Sequence, residues 1–457
     1  MTSESTLYDF IVIGAGAAGE AAAYEARRMG ATVAVVEREL VGGSCPFWAC
    51  MPSKALLHAA GIHAVGGDYS WRKASSFRDW ITGREKRRNA DDSSHVTRLE
   101  KQGARVFRGT AEIVGPGSVR VTARRMKRNE LRGRHLIVAV GTHSTVPDLP
   151  GLDEIKPWTN REATATRKLP RSLLVMGGGP TGVELAQVFA RYGVPVTIVH
   201  PENRVNHRDH PSNSAVLRRA LVEDGVKLRL EVRATRIVPA TDMTMPHEVV
   251  LSDGSSETGH EVLLAIGRTA PLAGLGLESI GVELRDGRVK PDDHLRIAPD
   301  TFVVGDPAGP EMHTHLAHYQ GEMAVQIALG VSVKPDFSAI PRATYTDPET
   351  AGVGLTLDEA SARGHDAFEE TADLASSAKG NVTESYGHAT AVVDRTERRL
   401  LGAFLAGPGA AEAIHEAVLA VKTKVPIEVL ADTIHAFPTT ARVMGSVFVA
   451  AARRLGG

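Results

Sequence analysis

The stretch Tyr8–Arg38, YDFIVIGAGAAGEAAAYEARRMGATVAVVER, reads as an apolar strand, a turn Gly14-x-Gly16-x-x-Gly19, an alanine-rich helix and a second apolar strand closing on Glu37. A lone GxGxxG means little. Here a strand precedes it, a helix follows it, and an acid ends the unit 18 residues after Gly19. The glycines let the backbone approach a pyrophosphate at the helix N-terminus, and the acid can accept from a ribose hydroxyl. The same layout recurs at Ser172–Arg204, SLLVMGGGPTGVELAQVFARYGVPVTIVHPENR, with Gly177, Gly179 and Gly182 in the glycine positions. Two such units predict two bound dinucleotides and an α/β chain with two Rossmann-like domains.

Directly downstream of the first unit lies GGSCPFWACMPSK, residues 42–54, which holds Cys45 and Cys50, the only two cysteines of the 457 residues. Two thiolates leave a tetrahedral metal site half empty, so no metal is expected. A dithiol at the start of a helix suits redox work, because the helix N-terminus favours the reactive thiolate. Redox chemistry is therefore favoured over a pair of buried structural cysteines. Pro46, Phe47 and Trp48 fill the loop between the cysteines. They either line the approach to the dithiol with apolar surface or pack into the core.

From about Tyr8 to the C-terminus the chain resembles the pyridine nucleotide-disulfide oxidoreductase family. Gly42, Gly43, Ser44, Cys45, Cys50, Pro52, Ser53 and Lys54 match that family's redox motif position by position. The resemblance implies FAD on the first fingerprint (Gly14, Gly16, Gly19, Glu37, with Gly43 and Ser44) and NAD(P)H on the second (Gly177, Gly179, Gly182). It further implies that Cys45 is the interchange thiol, Cys50 the thiol beside the flavin, and Lys54 a cation near the isoalloxazine, paired with Glu184. LIVAVGTHSTVPDLPG, with Gly141, resembles the strand leading out of the FAD domain, and AIGRTAP, with Gly267, resembles the return crossing. Asp306 in TFVVGDPAG matches the acid that accepts from the ribityl chain of FAD. The residues after about Asp336 resemble the interface domain, an α+β unit that forms the homodimer and completes the partner's active site. The expected division is 1–149 with 271–335 for FAD, 150–270 for NAD(P)H, and 336–457 for dimerisation.

Composition agrees with a soluble enzyme. The chain is long enough for roughly two to four domains. With 53 basic and 54 acidic side chains the net charge is -1, which suggests no nucleic-acid partner. The N-terminus MTSESTLYDF is polar, and the apolar run FIVIG is too short for a signal peptide core or a membrane span. A cytoplasmic location without membrane association is expected, and it suits a disulfide that must be cyclically reduced.

Two departures from the family pattern shape the expected function. At the position matching Glu37 the second fingerprint has His200, followed by Arg204, His207 and Arg208. An acid there would repel the extra phosphate of NADPH, whereas a His/Arg cluster does the reverse. NADPH is expected over NADH, the alternative being that these side chains face solvent. The family's C-terminal HPTxxE reads FPTTAR here: Pro438 and Thr439 match, but Phe437 replaces the histidine and Arg442 the glutamate. Neither replacement moves protons at neutral pH. His435, two residues upstream, returns to the face of Phe437 if the segment is extended, which offers a displaced donor; otherwise it is a histidine without catalytic role. Without a general acid, turnover of ordinary disulfides is expected to be poor. The expected acceptor is a small molecule, either aromatic or of the disulfide type. Alternatives are reductive cleavage of the 2-ketopropyl-coenzyme M oxidoreductase/carboxylase type, diaphorase-type transfer to quinones, and a flavoprotein redox sensor with non-catalytic cysteines. Mercuric reductase activity proper would need a further cysteine pair.

Overall fold

The run Phe10–Ile13 offers no polar face to water, and it lies at the centre of a sheet buried on both sides. The computed structural model describes residues 7–85, 90–123, 128–242 and 244–456. The first six residues, on which part of the N-terminal reading rests, lie outside that range. The chain forms two compact units.

One unit comprises Met1–Pro52, Ser76–Thr145 and Gly267–Asp336. Its strand Leu7–Ile13 pairs in parallel with Val33–Glu37 on one side and Arg128–Val138 on the other. Arg105–Arg108 and Thr301–Val303 extend these pairings in parallel, and Arg296–Ala298 closes one edge antiparallel. The hairpin Thr110–Gly115 with Ser118–Thr122 leans on the N-terminal half of Arg128–Val138, whose burial alternates there as a half-exposed strand requires. Helices Ala17–Arg28 and Thr314–Ala328 pack against each other so closely that a Cβ on Gly321 would sit 2.3 Å from the carbonyl oxygen of Ala18. A short antiparallel ribbon, His143–Ser144 with Arg268–Thr269, joins the strands by which the chain leaves and re-enters this unit.

The other unit comprises Ser53–Ser75, Val146–Ile266 and Phe337–Gly457. It contains a four-stranded parallel sheet ordered Lys227–Leu230, Val196–His200, Leu173–Met176, Glu261–Leu264, with helix Pro180–Arg191 following the third of these in space. A three-stranded antiparallel sheet (Ala234–Val238, His247–Leu251, Ser256–Gly259) shares a core with it. Five antiparallel strands ordered Arg342–Thr344, Glu349–Gly354, Arg399–Gly407, His388–Asp394, Ala367–Asp373 are backed by helices His415–Thr423, Ile427–Ala431 and Thr440–Arg454. The fold is thus α/β with Rossmann-like parallel sheets and a C-terminal α+β dimerisation domain. Among the described residues no helix is long and apolar enough to cross a membrane.

A buried polar network lies within the second unit. Asp209 accepts from Asn213 Nδ2 at 3.0 Å and from the backbone of His210 at 2.8 Å. Asn213 Oδ1 in turn faces His388 Nε2 at 2.9 Å, with Thr390 Oγ1 2.9 Å from Nδ1. The neutral imidazole satisfies both neighbours, donating from Nε2 and accepting at Nδ1. Burial first, and the neighbouring His210 second, push His388 down from 6.5 to about 4. A histidine whose folded pKa is depressed contributes stability above its unfolded pKa and loses it as pH falls. This group should therefore cost on the order of 3 kcal/mol as pH drops from about 6.5 to about 4. The urea midpoint should fall more steeply across that window in the wild type than in His388→Gln, and equal slopes would show that His388 does not titrate as a buried neutral group.

Candidate active site

The first glycine-rich turn is dictated by backbone crowding. Gly14 has φ +97°, and a Cβ there would lie 2.4 Å from the carbonyl oxygen of Ala139. A Cβ on Gly19 would lie 1.9 Å from the Gly14 oxygen, so the helix starts directly against the strand end. Gly43, at φ +70°, approaches Gly16 so that its Cβ would meet the Gly16 Cα at 2.6 Å. Two bare backbone stretches thus face each other at the N-terminus of helix Ala17–Arg28, and Ser44 opens the next short helix. Such a cradle fits the diphosphate of a dinucleotide. Glu37 is buried; its Oε2 accepts from the Ala15 N–H at 2.7 Å and its Oε1 from the Glu39 N–H at 2.6 Å. Burial pushes its carboxyl above the usual range, against the downward pull of these two bonds. Asp306 accepts from the Thr142 hydroxyl, which accepts from Arg268 Nε at 2.7 Å; Gly141, at φ +61°, precedes Thr142, and Gly267, at φ +138°, precedes Arg268.

The second turn repeats the first. Gly177 has φ +112° with a Cβ position 2.3 Å from the Ala265 oxygen, and a Cβ on Gly182 would lie 2.1 Å from the Gly177 oxygen. Around Gly179 there is open space. His200 takes the part that Glu37 takes in the first unit: its Nδ1 accepts from the Gly178 N–H at 3.1 Å. His200 is turned into the loop, and Arg204 closes its own turn by donating to the carbonyls of His207 at 2.6 Å and Asp209 at 3.3 Å. Burial is the largest cause pushing both His200 and His207 below the ordinary histidine value, so neither is a cation at neutral pH. The positive charge of the cluster rests on Arg204 and on the exposed Arg208.

Cys45 lies in the short helix Ser44–Phe47, and Cys50 opens helix Cys50–Ala64; both are half-buried. Cys50 Sγ is 3.3 Å from the hydroxyl of Thr314, the first residue of its helix. Phe47 is buried, edge-on to the ring of His95, whose Nδ1 pairs with Glu20 Oε1 at 2.9 Å. Phe47 is therefore packing. Trp48 is half-buried, with the guanidinium of Arg84 4.1 Å above its ring, and Arg84 also donates to the Phe47 carbonyl at 2.8 Å.

In the second unit Lys54 Nζ bonds both oxygens of Glu184, at 2.8 and 3.0 Å. Glu184 Oε1 also accepts from the Tyr345 N–H at 3.0 Å, and the Tyr345 ring centroid lies 4.6 Å from Lys54 Nζ. Gln187, one turn further along the helix of Glu184, fastens Asp347 through two backbone bonds of 2.8 Å. Sequence reasoning missed Tyr345, Thr314, Arg84 and His95. The only available signal was the presence of Tyr345 in the region after about Asp336, already noted for its family resemblance.

Phe437 is 74 % exposed, immediately before Pro438, while Thr439 caps helix Thr440–Arg454 by accepting from the Arg442 N–H. The side chain of His435 is only 5 % exposed, with Nε2 2.9 Å from Glu416 Oε2. Its ring occupies the space over Gly445, where a Cβ would meet Nδ1 at 2.5 Å. His435 and Phe437 therefore do not share a face as an extended segment would have it: one points inward to Glu416, the other to the outside.

The chain matches the family model described as pyridine nucleotide-disulphide oxidoreductase over residues 8–321 and the dimerisation domain of that family over 340–447. It is 31 % identical to dihydrolipoyl dehydrogenase of Chlorobaculum tepidum, an alignment covering 98 % of each chain. To mercuric reductase of Bacillus cereus it is 28 % identical over 95 % of this chain and 70 % of the relative. Among solved structures, LpdA of Mycobacterium tuberculosis superposes with a TM-score of 0.87 at 25 % identity, covering 98 % of this chain and 99 % of the other. The HOCl-induced flavoprotein disulfide reductase RclA of Escherichia coli shares the fold at a TM-score of 0.86 and 24 % identity, covering 97 % of this chain and 99 % of the other. With its two glycine turns, its Cys45–Cys50 motif and matches along nearly its whole length, the chain belongs to the pyridine nucleotide-disulfide oxidoreductase family, FAD-dependent enzymes acting on NAD(P)H.

Proposed function

We propose that the protein is an NADPH-fed homodimer, working in the cytoplasm, that passes two electrons through Cys45–Cys50 to a small, poorly hydrated acceptor needing little proton donation. FAD would be held by 1–149 with 271–335, the nicotinamide nucleotide by 150–270, and the second subunit by 336–457. One observation carries the reading: an exposed phenylalanine, Phe437, stands where the family places its proton-handling histidine, and His435, two residues upstream, is bonded inward to Glu416. Bound FAD would supply two-electron transfer between the nicotinamide and the disulfide. Cys45 would meet the acceptor, Cys50 would face the flavin, and the Lys54–Glu184 pair would hold a fixed cation. No side chain in the family's acid position can protonate a leaving thiolate, so glutathione-like and lipoamide-like disulfides fit poorly. The same apolar residue favours a second reading, reductive cleavage to a carbanion that a proton donor would quench; dependence of product formation on added bicarbonate would separate the two.

Native turnover of glutathione and lipoamide disulfides should be low while flavin reduction stays fast. Phe437→His with Arg442→Glu should raise disulfide turnover by about 10- to 100-fold, part of the range a general acid supplies. Phe437→His alone should gain less, since an unsupported imidazole adopts the wrong tautomer or rotamer. High native activity on a common disulfide would overturn the proposal.

NADPH is proposed as the preferred donor because strand Val196–His200 ends in an imidazole, not a carboxylate, and Arg208, near His207, is exposed. In stopped-flow measurements NADPH should reduce the flavin faster than NADH, with the advantage shrinking at high salt and in Arg208→Ala. The preference should be level above neutrality, because His200 and His207 stay neutral there. It should grow only as pH falls below the ordinary histidine range, where both begin to protonate. Equal or faster reduction by NADH would mean that the cluster does not meet the nucleotide.

A further inference from the structure

Arg84 is a guanidinium almost wholly removed from water, and it lies against the loop that joins the two cysteines. It donates from one terminal nitrogen to the Phe47 carbonyl at 2.8 Å and covers the Trp48 ring at 4.1 Å, so it touches both residues at the middle of the Cys45–Cys50 loop. Its other terminal nitrogen, Nη1, is buried without a hydrogen-bond partner among the described residues. The nearby Arg78 is also buried, and the carboxylate beside it, Asp79, bonds Arg78 Nε at 2.8 Å. A carbonyl and an indole face are weak compensation for a desolvated cation, because neither carries a formal charge. Desolvation first, and Arg78 second, depress Arg84 to about 10, so it remains protonated at neutral pH.

Such a charge becomes useful when a negative one appears on the loop it packs against. Two electrons and one proton open a disulfide into one thiol and one thiolate. In turnover NAD(P)H supplies the electrons through the family's established chemistry. We propose that Arg84 is a positioning residue for the Cys45–Cys50 loop, its guanidinium fixing the Phe47–Trp48 turn and favouring the thiolate form of the reduced pair. The inference rests on the reading of Cys45–Cys50 as the redox centre. Other polar groups packed around the loop are His95 with Glu20, against Gly42 and Phe47, and Thr314 beside Cys50. His313, paired with Glu311, and His315 flank Thr314, and Lys54 lies one helical turn on from Cys50.

The test is the pH profile of thiol alkylation in flavin-bound protein reduced with dithiothreitol, each cysteine followed by peptide mass spectrometry after iodoacetamide. In Arg84→Met the midpoint of the more reactive thiol should move up by about one pH unit, as expected for loss of a neighbouring cation. Arg84→Lys keeps the charge and should stay within about 0.3 unit of the wild type, although it cannot span both contacts. If Arg84→Met does not accumulate as flavin-bound protein, Arg84→Lys decides: a rise of a full unit with the charge retained overturns the proposal. An Arg84→Met midpoint that coincides with the wild type overturns it as well. If the wild-type protein gains no titratable thiols on reduction, the redox-centre reading itself fails, an outcome distinguishable from either of these.

Discussion

The constraint on which both nucleotide-type sheets depend is the approach of a glycine backbone to a neighbouring strand end. Gly14 and Gly177 sit where a Cβ would overlap the carbonyl oxygens of Ala139 and Ala265, and Gly19 and Gly182 press the following helices onto the same turns. No other residue supplies both the positive φ and the missing atom. The turn in turn brings its N–H groups within reach of the side chain that ends the next strand: Glu37 captures Ala15, and His200 captures Gly178. The two units share this architecture and differ in charge. A buried carboxylate holds the first turn, while a neutral imidazole holds the second without placing an anion beside it.

That difference separates what was legible in the sequence from what was not. The glycines, the Cys-x4-Cys spacing and the two strand-turn-helix runs are local patterns, and the folded chain keeps them in register. The Lys54–Glu184 pair, implied by family resemblance across 130 residues of chain, is present in the geometry. The direction of His200 was not legible, because sequence spacing places a residue at a strand end without saying whether it turns into the loop or out to solvent. Arg84, His95 and Thr314 reach the dithiol loop from segments with no motif of their own. Their partners are set by tertiary packing, which leaves no periodic trace.

The C-terminal segment makes the same point with opposite consequence. Strand alternation would put His435 and Phe437 on one face. The segment is not a strand, and the ring of His435 finds a carboxylate acceptor in Glu416 and a flat seat over Gly445 that only glycine leaves open. An exposed aromatic is left at the position where the family pattern calls for an imidazole.

A redox centre can manage the charge of its reduced form by protonating a sulfur or by stabilising a thiolate. Under the proposed reading, replacement of the family's acid by Phe437 leaves the first route without its usual donor. Arg84, desolvated and packed against neutral groups of the dithiol loop, supports the second. In a purely structural role a guanidinium so placed would be an expensive filler, since an apolar side chain of similar volume could pack against Trp48 without the desolvation cost. Stabilising a thiolate gives the charge a use in one oxidation state while leaving the cost in the other. The reduced pair then gains relative to the disulfide, which favours an acceptor strong enough to draw electrons from a stabilised thiolate without help from a proton.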